Sequence, residues 1–309
     1  MSKKDELQKE QEEYWREEVE QLKADSIHSS SELGIEVLNI IERFVRKQLY
    51  RNRTELFQSY SKLMNALVRA KPLMALFYTY SHRIFDYIDS LPKEERDIQK
   101  IKKSLLEELQ TIRSEIITHQ KALSKSSVRL IMDQHQVLTH SASKAVEAAF
   151  LEAKKRKKHF RVICTESRPQ QEGTQLALRL AWAGIKTTLI TDTEMCGAIQ
   201  KSNFVITGAD RITETSFINK TGTYIAAILA KEFHIPFYVI ASTTKILPKR
   251  TYPAKFVSNN KYQIYDKKVT NLAIENFYFE EIPLSLIHKI ICEDGIFETE
   301  EFSERYLNF

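Results

Sequence analysis

Five segments in the second half of the chain carry groups able to do chemistry. Thr139-His140-Ser141-Ala142-Ser143 opens an amphipathic stretch, where backbone N–H groups and the Ser141 and Ser143 hydroxyls suit an anion. On local sequence alone, plain N-capping by Ser141 or Ser143, which any helix could use, is the stronger reading. Thr165-Glu166-Ser167-Arg168-Pro169 is followed by Glu172-Gly173. Arg168 can fork onto a phosphate or carboxylate, or brace Glu166. Gly208-Ala209-Asp210-Arg211 offers Asp210 as a general acid or base, provided its pKa is tuned upward. Otherwise Asp210 caps a turn or pairs with Arg211. In Asn219-Lys220-Thr221-Gly222-Thr223, Lys220 supplies a point charge for phosphate, and Gly222 lets backbone approach a ligand. Lys245, in Ser242-Thr243-Thr244-Lys245, offers a second such charge. The Gly-Lys-Ser/Thr order of nucleotide hydrolases is absent.

Four of these segments follow a short apolar run directly or nearly so, and Asn219 to Thr223 opens the next helix. The runs are Gln136-Val137-Leu138, Phe160-Arg161-Val162-Ile163-Cys164, Thr187-Thr188-Leu189-Ile190, Phe204-Val205-Ile206 and Pro236-Phe237-Tyr238-Val239-Ile240. Amphipathic stretches around 142–158, 172–183, 194–201 and 221–233 separate them. Strand and helix in alternation imply right-handed crossovers and a mainly parallel sheet covered on both faces. Ligands of such sheets sit beyond the carboxyl ends of the strands, so the segments after the strands should share one crevice.

The first 130 residues read differently. They hold one of the seven glycines, Gly34, and two of the seven prolines, Pro72 and Pro92, so they should be mostly helical. Residues 4–24 are highly charged, with sparse apolar positions at Leu7, Tyr14, Val19 and Leu22, as in a solvated or partner-packed helix. Ser29, Ser30 and Ser31 offer N-caps to a second helix. A long helix is expected from about Pro92 to Ser124, with Ile98, Ile101, Leu105, Leu109, Ile112 and Ile116 close to a heptad-like stripe. The expected organisation is α/β: a helical N-terminal domain, 1–130, followed by a Rossmann-like, mainly parallel sheet domain, 131–309.

Three scattered cysteines, Cys164, Cys196 and Cys292, form neither a disulfide framework nor a metal set. With a Lys/Glu-rich N-terminus and no apolar run near the ~20 residues that span a bilayer, a cytoplasmic setting without membrane attachment is expected. A net charge of +5 mildly favours anionic ligands. The run Lys154-Lys155-Arg156-Lys157-Lys158 ends a helix, where cations suit the dipole, and reads as a solvated face rather than a nucleic-acid site.

Taken as a set, Thr165 to Pro169 with Glu172-Gly173, Gly208 to Ile212, Asn219 to Thr223, Ile235 to Val239 with Lys245, and Asn276 to Pro283 with Leu286-Ile287 resemble one family. It contains methylthioribose-1-phosphate isomerase, ribose-1,5-bisphosphate isomerase and the alpha, beta and delta subunits of translation initiation factor two B. The resemblance spans about 135–309. It implies a Rossmann-like domain that dimerises and binds a phosphorylated sugar or nucleotide, with no cofactor or metal. It also implies that Asp210 matches the isomerases' catalytic Asp and that Asn219 and Lys220 match ligand-contacting positions. Ser141 falls on their catalytic Cys, and a hydroxyl is a far poorer acid than a thiol. The stretch Ser29 to Gly34 lacks the Arg of the isomerases' phosphate-contacting loop, and Glu280 stands where many members carry Asp. The expected function is therefore that of an alpha-subunit-like binding protein, homodimeric or larger and open to a protein partner. An aldose–ketose isomerase of pentose phosphates is the alternative.

Overall fold

The computed structural model describes residues 3–26, 28–47 and 50–307; the side chains of residues 3–13, Leu7 among them, lie outside the description. The chain divides into two compact units, residues 1–118 and 119–309.

The described part of the first unit is helical: α1 (Lys3–Ala24), α2 (Ser30–Lys47), α3 (Arg53–Ala70), α4 (Ala75–Ser90) and most of α5 (Ile98–Ser127). Local chemistry sets the starts. Ser29 and Glu32 form a reciprocal cap at α2, with the Ser29 amide donating to Glu32 Oε2 at 2.9 Å and the Glu32 amide to Ser29 Oγ at 3.4 Å. Asn52 Oδ1 accepts the Glu55 amide at the start of α3. The stretch from Ser29 to Gly34 is thus a helix start, not an open loop. Gly34 lets α2 and α4 pack closely, because a Cβ there would meet the Leu76 side chain at 2.9 Å. In α1, Trp15, Val19 and Leu22 are buried at helical spacing, so its C-terminal half packs into the unit rather than standing in solvent. Ile101, Leu105, Leu109 and Ile112 of α5 are buried likewise.

The second unit is built on a seven-stranded sheet in the order β10-β9-β7-β4-β1-β2-β3. Its strands are β1 (Gln136–Thr139), β2 (Arg161–Thr165), β3 (Lys186–Ile190), β4 (Phe204–Gly208), β7 (Phe237–Ile240), β9 (Lys289–Cys292) and β10 (Gly295–Glu298). All pairings are parallel except that of β10 with β9. Helices α6 (Lys144–Lys155), α7 (Glu172–Trp182), α8 (Met195–Gln200), α9 (Thr223–Glu232) and α10 (Thr299–Tyr306) complete this unit. Successive strand residues feed opposite cores. Leu138, Ile163, Val205 and Val239 pack into one, and Val137, Val162, Cys164, Ile206 and Ile240 into the other. Burial on both faces explains why these strands read as unbroken apolar runs.

A second, antiparallel sheet has the order β5-β6-β8, from β5 (Arg211–Ile212), β6 (Ser216–Lys220) and β8 (Phe279–Pro283). Asn219 and Lys220, expected in a loop, are the last residues of β6 and are buried. No helix among the described residues is long and apolar enough to cross a membrane.

Candidate functional site

The loops after β1, β2 and β3, together with the end of β6 and the start of α9, are tied into one hydrogen-bonded cluster. His140 is at its centre and is 1% exposed. Its Nε2 lies 2.9 Å from the Thr221 carbonyl oxygen, and its Nδ1 lies 2.6 Å from Thr165 Oγ1. A carbonyl only accepts, so Nε2 carries the proton and Nδ1 accepts from the threonine. Burial pushes the imidazole below its usual pKa, against the pull of the Thr221 carbonyl and of Asp192 and Glu172, which favours this neutral form. The hydroxyl chain continues through Ser167 Oγ, 3.1 Å from Thr165 Oγ1, which accepts the Ser141 amide at 2.8 Å.

Three non-glycine residues of the cluster, Ser141 (φ 67), Ser167 (φ 63) and Gln171 (φ 58), occupy the left-handed region. Such backbone costs energy and persists where surrounding bonds hold it. Asp192, just past the carboxyl end of β3, holds Ser167, its Oδ1 accepting the Ser167 amide at 2.8 Å and its Oδ2 the Arg168 amide at 2.7 Å. Ser167 in turn accepts the Ser141 amide on its hydroxyl and the Gln171 amide on its carbonyl. Two glycines are fixed by contact. A Cβ on Gly222 (φ 105) would lie 2.7 Å from His140 Nε2, and one on Gly173 would lie 1.9 Å from the Thr165 carbonyl oxygen.

The ionic part of the site centres on Glu172, in the first turn of α7. Ser141 Oγ donates to Glu172 Oε1 at 3.0 Å, and Lys220 Nζ lies 2.9 Å from the same oxygen and 3.0 Å from Oε2. Lys220 Nζ also donates to Gln170 Oε1 at 2.8 Å and faces the Tyr278 ring at 5.4 Å. Its side chain is only 3% exposed. Burial lowers the Lys220 pKa, while Glu172, Asp192 and Asp210 oppose that fall. Lys245 is buried, donates to the Ala209 carbonyl at 2.5 Å, and has its pKa lowered by burial against the pull of Asp210. Asp210, half-buried, therefore shares its field with both ammonium groups.

The amides at the start of α9 form an anion site that the chain fills itself. Glu280 Oε1, from β8, accepts the Gly222 amide at 2.8 Å and the Tyr224 amide at 2.7 Å. Burial raises the Glu280 pKa even so. Asn219 Nδ2 donates to Thr223 Oγ1 at 2.9 Å, bracing the turn into α9. Ser143 is packed on Gly208, where a Cβ would come within 2.5 Å of its hydroxyl. Arg168 is exposed, with a guanidinium nitrogen 3.4 Å from the Gln263 carbonyl oxygen. Arg211 donates to the Leu247, Pro248 and Tyr252 carbonyls and so holds the segment after Lys245. Cys164 is buried in the core beneath this edge, and burial pushes its thiol up to about 12.

Sequence reasoning left out Glu172, Asp192 and His140 as site residues. Asp192 follows β3, so the rule that polar residues after each strand share the crevice was sufficient to find it. Glu172 reads as an ordinary acidic residue in a helix's first turn, and only the fold shows it beside Lys220.

A family model described as "Initiation factor 2 subunit family" matches residues 26–299. The chain is 33% identical over 238 residues to a translation initiation factor eIF-2B subunit 2-like protein of Pyrococcus horikoshii, covering 76% of this chain and 79% of that one. It is 26% identical over 287 residues to ribose 1,5-bisphosphate isomerase of Methanocaldococcus jannaschii, covering 91% and 90%. The crystal structure of the Pyrococcus horikoshii translation initiation factor eIF-2B superposes with a TM-score of 0.77 at 29% identity, over 92% of this chain and 96% of the other. This chain is thus a member of the initiation factor 2 subunit family, which includes eIF-2B-like proteins and pentose phosphate isomerases among its relatives.

Proposed function

We propose that this protein is a binding member of its family, resembling the alpha subunit of translation initiation factor two B, which holds a sugar phosphate or nucleotide at the carboxyl edge of its sheet without isomerising it. The observation that carries this reading is the state of Ser141. Its hydroxyl donates to Glu172 Oε1, and that carboxylate is already bound to the buried Lys220 ammonium. Isomerising an aldose phosphate needs a proton donor and acceptor of matched pKa on either side of the sugar carbon. Asp210 would be the carboxylate on one side, whereas a hydroxyl pinned to a carboxylate does not supply the partner on the other. Cys164, the nearest thiol in sequence, sits at the end of β2 but is buried with its pKa near 12.

Lys220, Lys245 and Arg168 would supply positive charge to the ligand, and Asp210 and Asn219 would meet sugar hydroxyls. Assembly as a homodimer or a larger complex fits the family, whose solved members include a tetrameric eIF2B beta–delta complex of C. thermophilum. The test is incubation of the purified protein with ribose 1,5-bisphosphate and with methylthioribose 1-phosphate, followed by carbon NMR. Binding with both sugars recovered unchanged is expected. Formation of a ketose phosphate by the wild type would transfer the protein to the isomerase reading, with Asp210 moving the proton.

A further inference from the structure

The basic run from Lys154 to Lys158 has a setting that a solvated helix end would not have. It closes α6 and leads into β2, at the amino ends of the strands, the edge opposite the site above. Lys154 and Lys158 line a concavity of about 210 Å³ with Arg161, Lys186, Phe160 and Ile185. Four of its lining residues are Lys or Arg and none is Asp or Glu.

Three observations set this charge apart from ordinary surface lysine. Arg161 and Lys186 are register partners at the first positions of β2 and β3. Strands lie about 4.8 Å apart, and like charges placed side by side on them are destabilising. Both side chains are exposed, and no ion pair reaches either among the described residues. Next, Lys154 Nζ donates to the Gly184 carbonyl at 2.7 Å, and Lys158 Nζ donates to the Val128 and Ile131 carbonyls. Carbonyls hold an ammonium in place without cancelling its charge, which reduces the ordering cost of binding an anion. Finally, helix dipoles do not balance the total. The carboxyl ends of α6 and α7 amount to about one negative charge together. Against that stand Lys154, Lys155, Lys157, Lys158, Arg161 and Lys186. Of the nearby carboxylates, Glu152 is paired with Arg156, while Asp133, which accepts the His159 amide, keeps its charge and offsets one of these cations, leaving the excess positive.

The cations also extend beyond the concavity. From Lys186 past Arg161 and Gln136 to Lys201, whose carbonyl accepts from Gln136 Nε2, the rim crosses three strand spacings, or about 14 Å. That is longer than one phosphate group can use. We propose that this rim binds the phosphodiester backbone of single-stranded RNA. It is independent of the reading of the crevice at the other edge.

The test is fluorescence anisotropy of a labelled oligouridylate of about 20 nucleotides, titrated with full-length protein between about 50 and 200 mM salt. Binding should weaken with salt by a log–log slope of about −0.7 for each phosphate neutralised. Arg161→Glu with Lys186→Glu should weaken it at least about tenfold at low salt and reduce the slope by about 1.4. Both positions are exposed strand starts, and an unchanged melting temperature verifies the fold. Lys267→Glu with Lys268→Glu, an equal charge change at exposed positions elsewhere, should alter binding by less than about twofold. Absence of RNA binding at the lowest salt, or equal losses in the two double variants, would overturn the proposal. So would binding of ATP or inorganic phosphate, lost in the Arg161/Lys186 variant, with RNA left unbound, because the occupant would then be a small phosphate.

Discussion

Glu172 decides how much positive charge the site presents. Its carboxylate neutralises Lys220, which is nearly out of contact with water. Removing one partner of such a pair leaves a buried charge uncompensated, at a cost of about 3 kcal/mol when the replacement cannot accept a hydrogen bond. Glu172→Gln keeps an acceptor for the ammonium, so a loss of about 1–2 kcal/mol in denaturant melts is expected. The same substitution should tighten binding of a phosphorylated sugar by roughly tenfold or more, since the ligand phosphate no longer competes with a resident carboxylate. Unchanged or weaker binding by Glu172→Gln in calorimetry would show that the phosphate does not meet Lys220. His140 gives a pH dependence of definite sign. Its folded-state pKa lies below the usual value of about 6.5, so the unfolded chain binds more protons. Stability from the neutral ring is then complete above about pH 6.5 and is lost as pH falls below it. His140→Gln should flatten the difference in melting temperature between pH 7 and pH 5; an identical pH profile in wild type and variant would contradict this.

The elements of the second unit turn on close approaches that only glycine permits. Gly222 sits at φ 105 with the His140 ring against it, so Gly222→Ala combines left-handed strain with a clash. A loss of about 2–4 kcal/mol is expected by urea denaturation. A loss below about 0.5 kcal/mol would mean that the turn into α9 is looser than its contacts indicate. These elements were not equally legible in the sequence. The strands β1, β2, β4 and β7 announce themselves as Val/Ile-rich runs because they are buried on both faces. The small sheet does not, because Arg211, Asn219 and Lys220 interrupt its apolar pattern while being buried through hydrogen bonds and an ion pair. Burial of that kind is a property of the partners, which lie far off in sequence. The site divides in the same way. Asp210, Ser141 and Lys220 follow from strand-end position and family motif, whereas the roles of Glu172 and Glu280 depend on side chains meeting across different elements.

At the scale of the whole molecule, α9 leaves Tyr224, Ile225 and Ile228 exposed, with Ile225 at 61% and Ile228 at 48%. The homodimer proposed above would bury this apolar face against a second copy of the chain. Ile225→Glu with Ile228→Glu should therefore shift the protein toward monomer in sedimentation velocity. A wild-type monomer, or a dimer untouched by the two charges, would place the contact elsewhere. The central claim is that a phosphorylated ligand occupies the carboxyl edge of the sheet. Its most direct test is a thermal-shift titration of the wild type and of Lys220→Ala with ribose 1,5-bisphosphate, methylthioribose 1-phosphate, AMP and GDP. Ligand at ~100 times its dissociation constant adds about 2.7 kcal/mol to folding, a shift of several degrees for a chain of this size. One of the four should raise the wild-type midpoint by that much and leave Lys220→Ala unmoved. An equal rise in both proteins, or none in the wild type with any of the four, would contradict the claim.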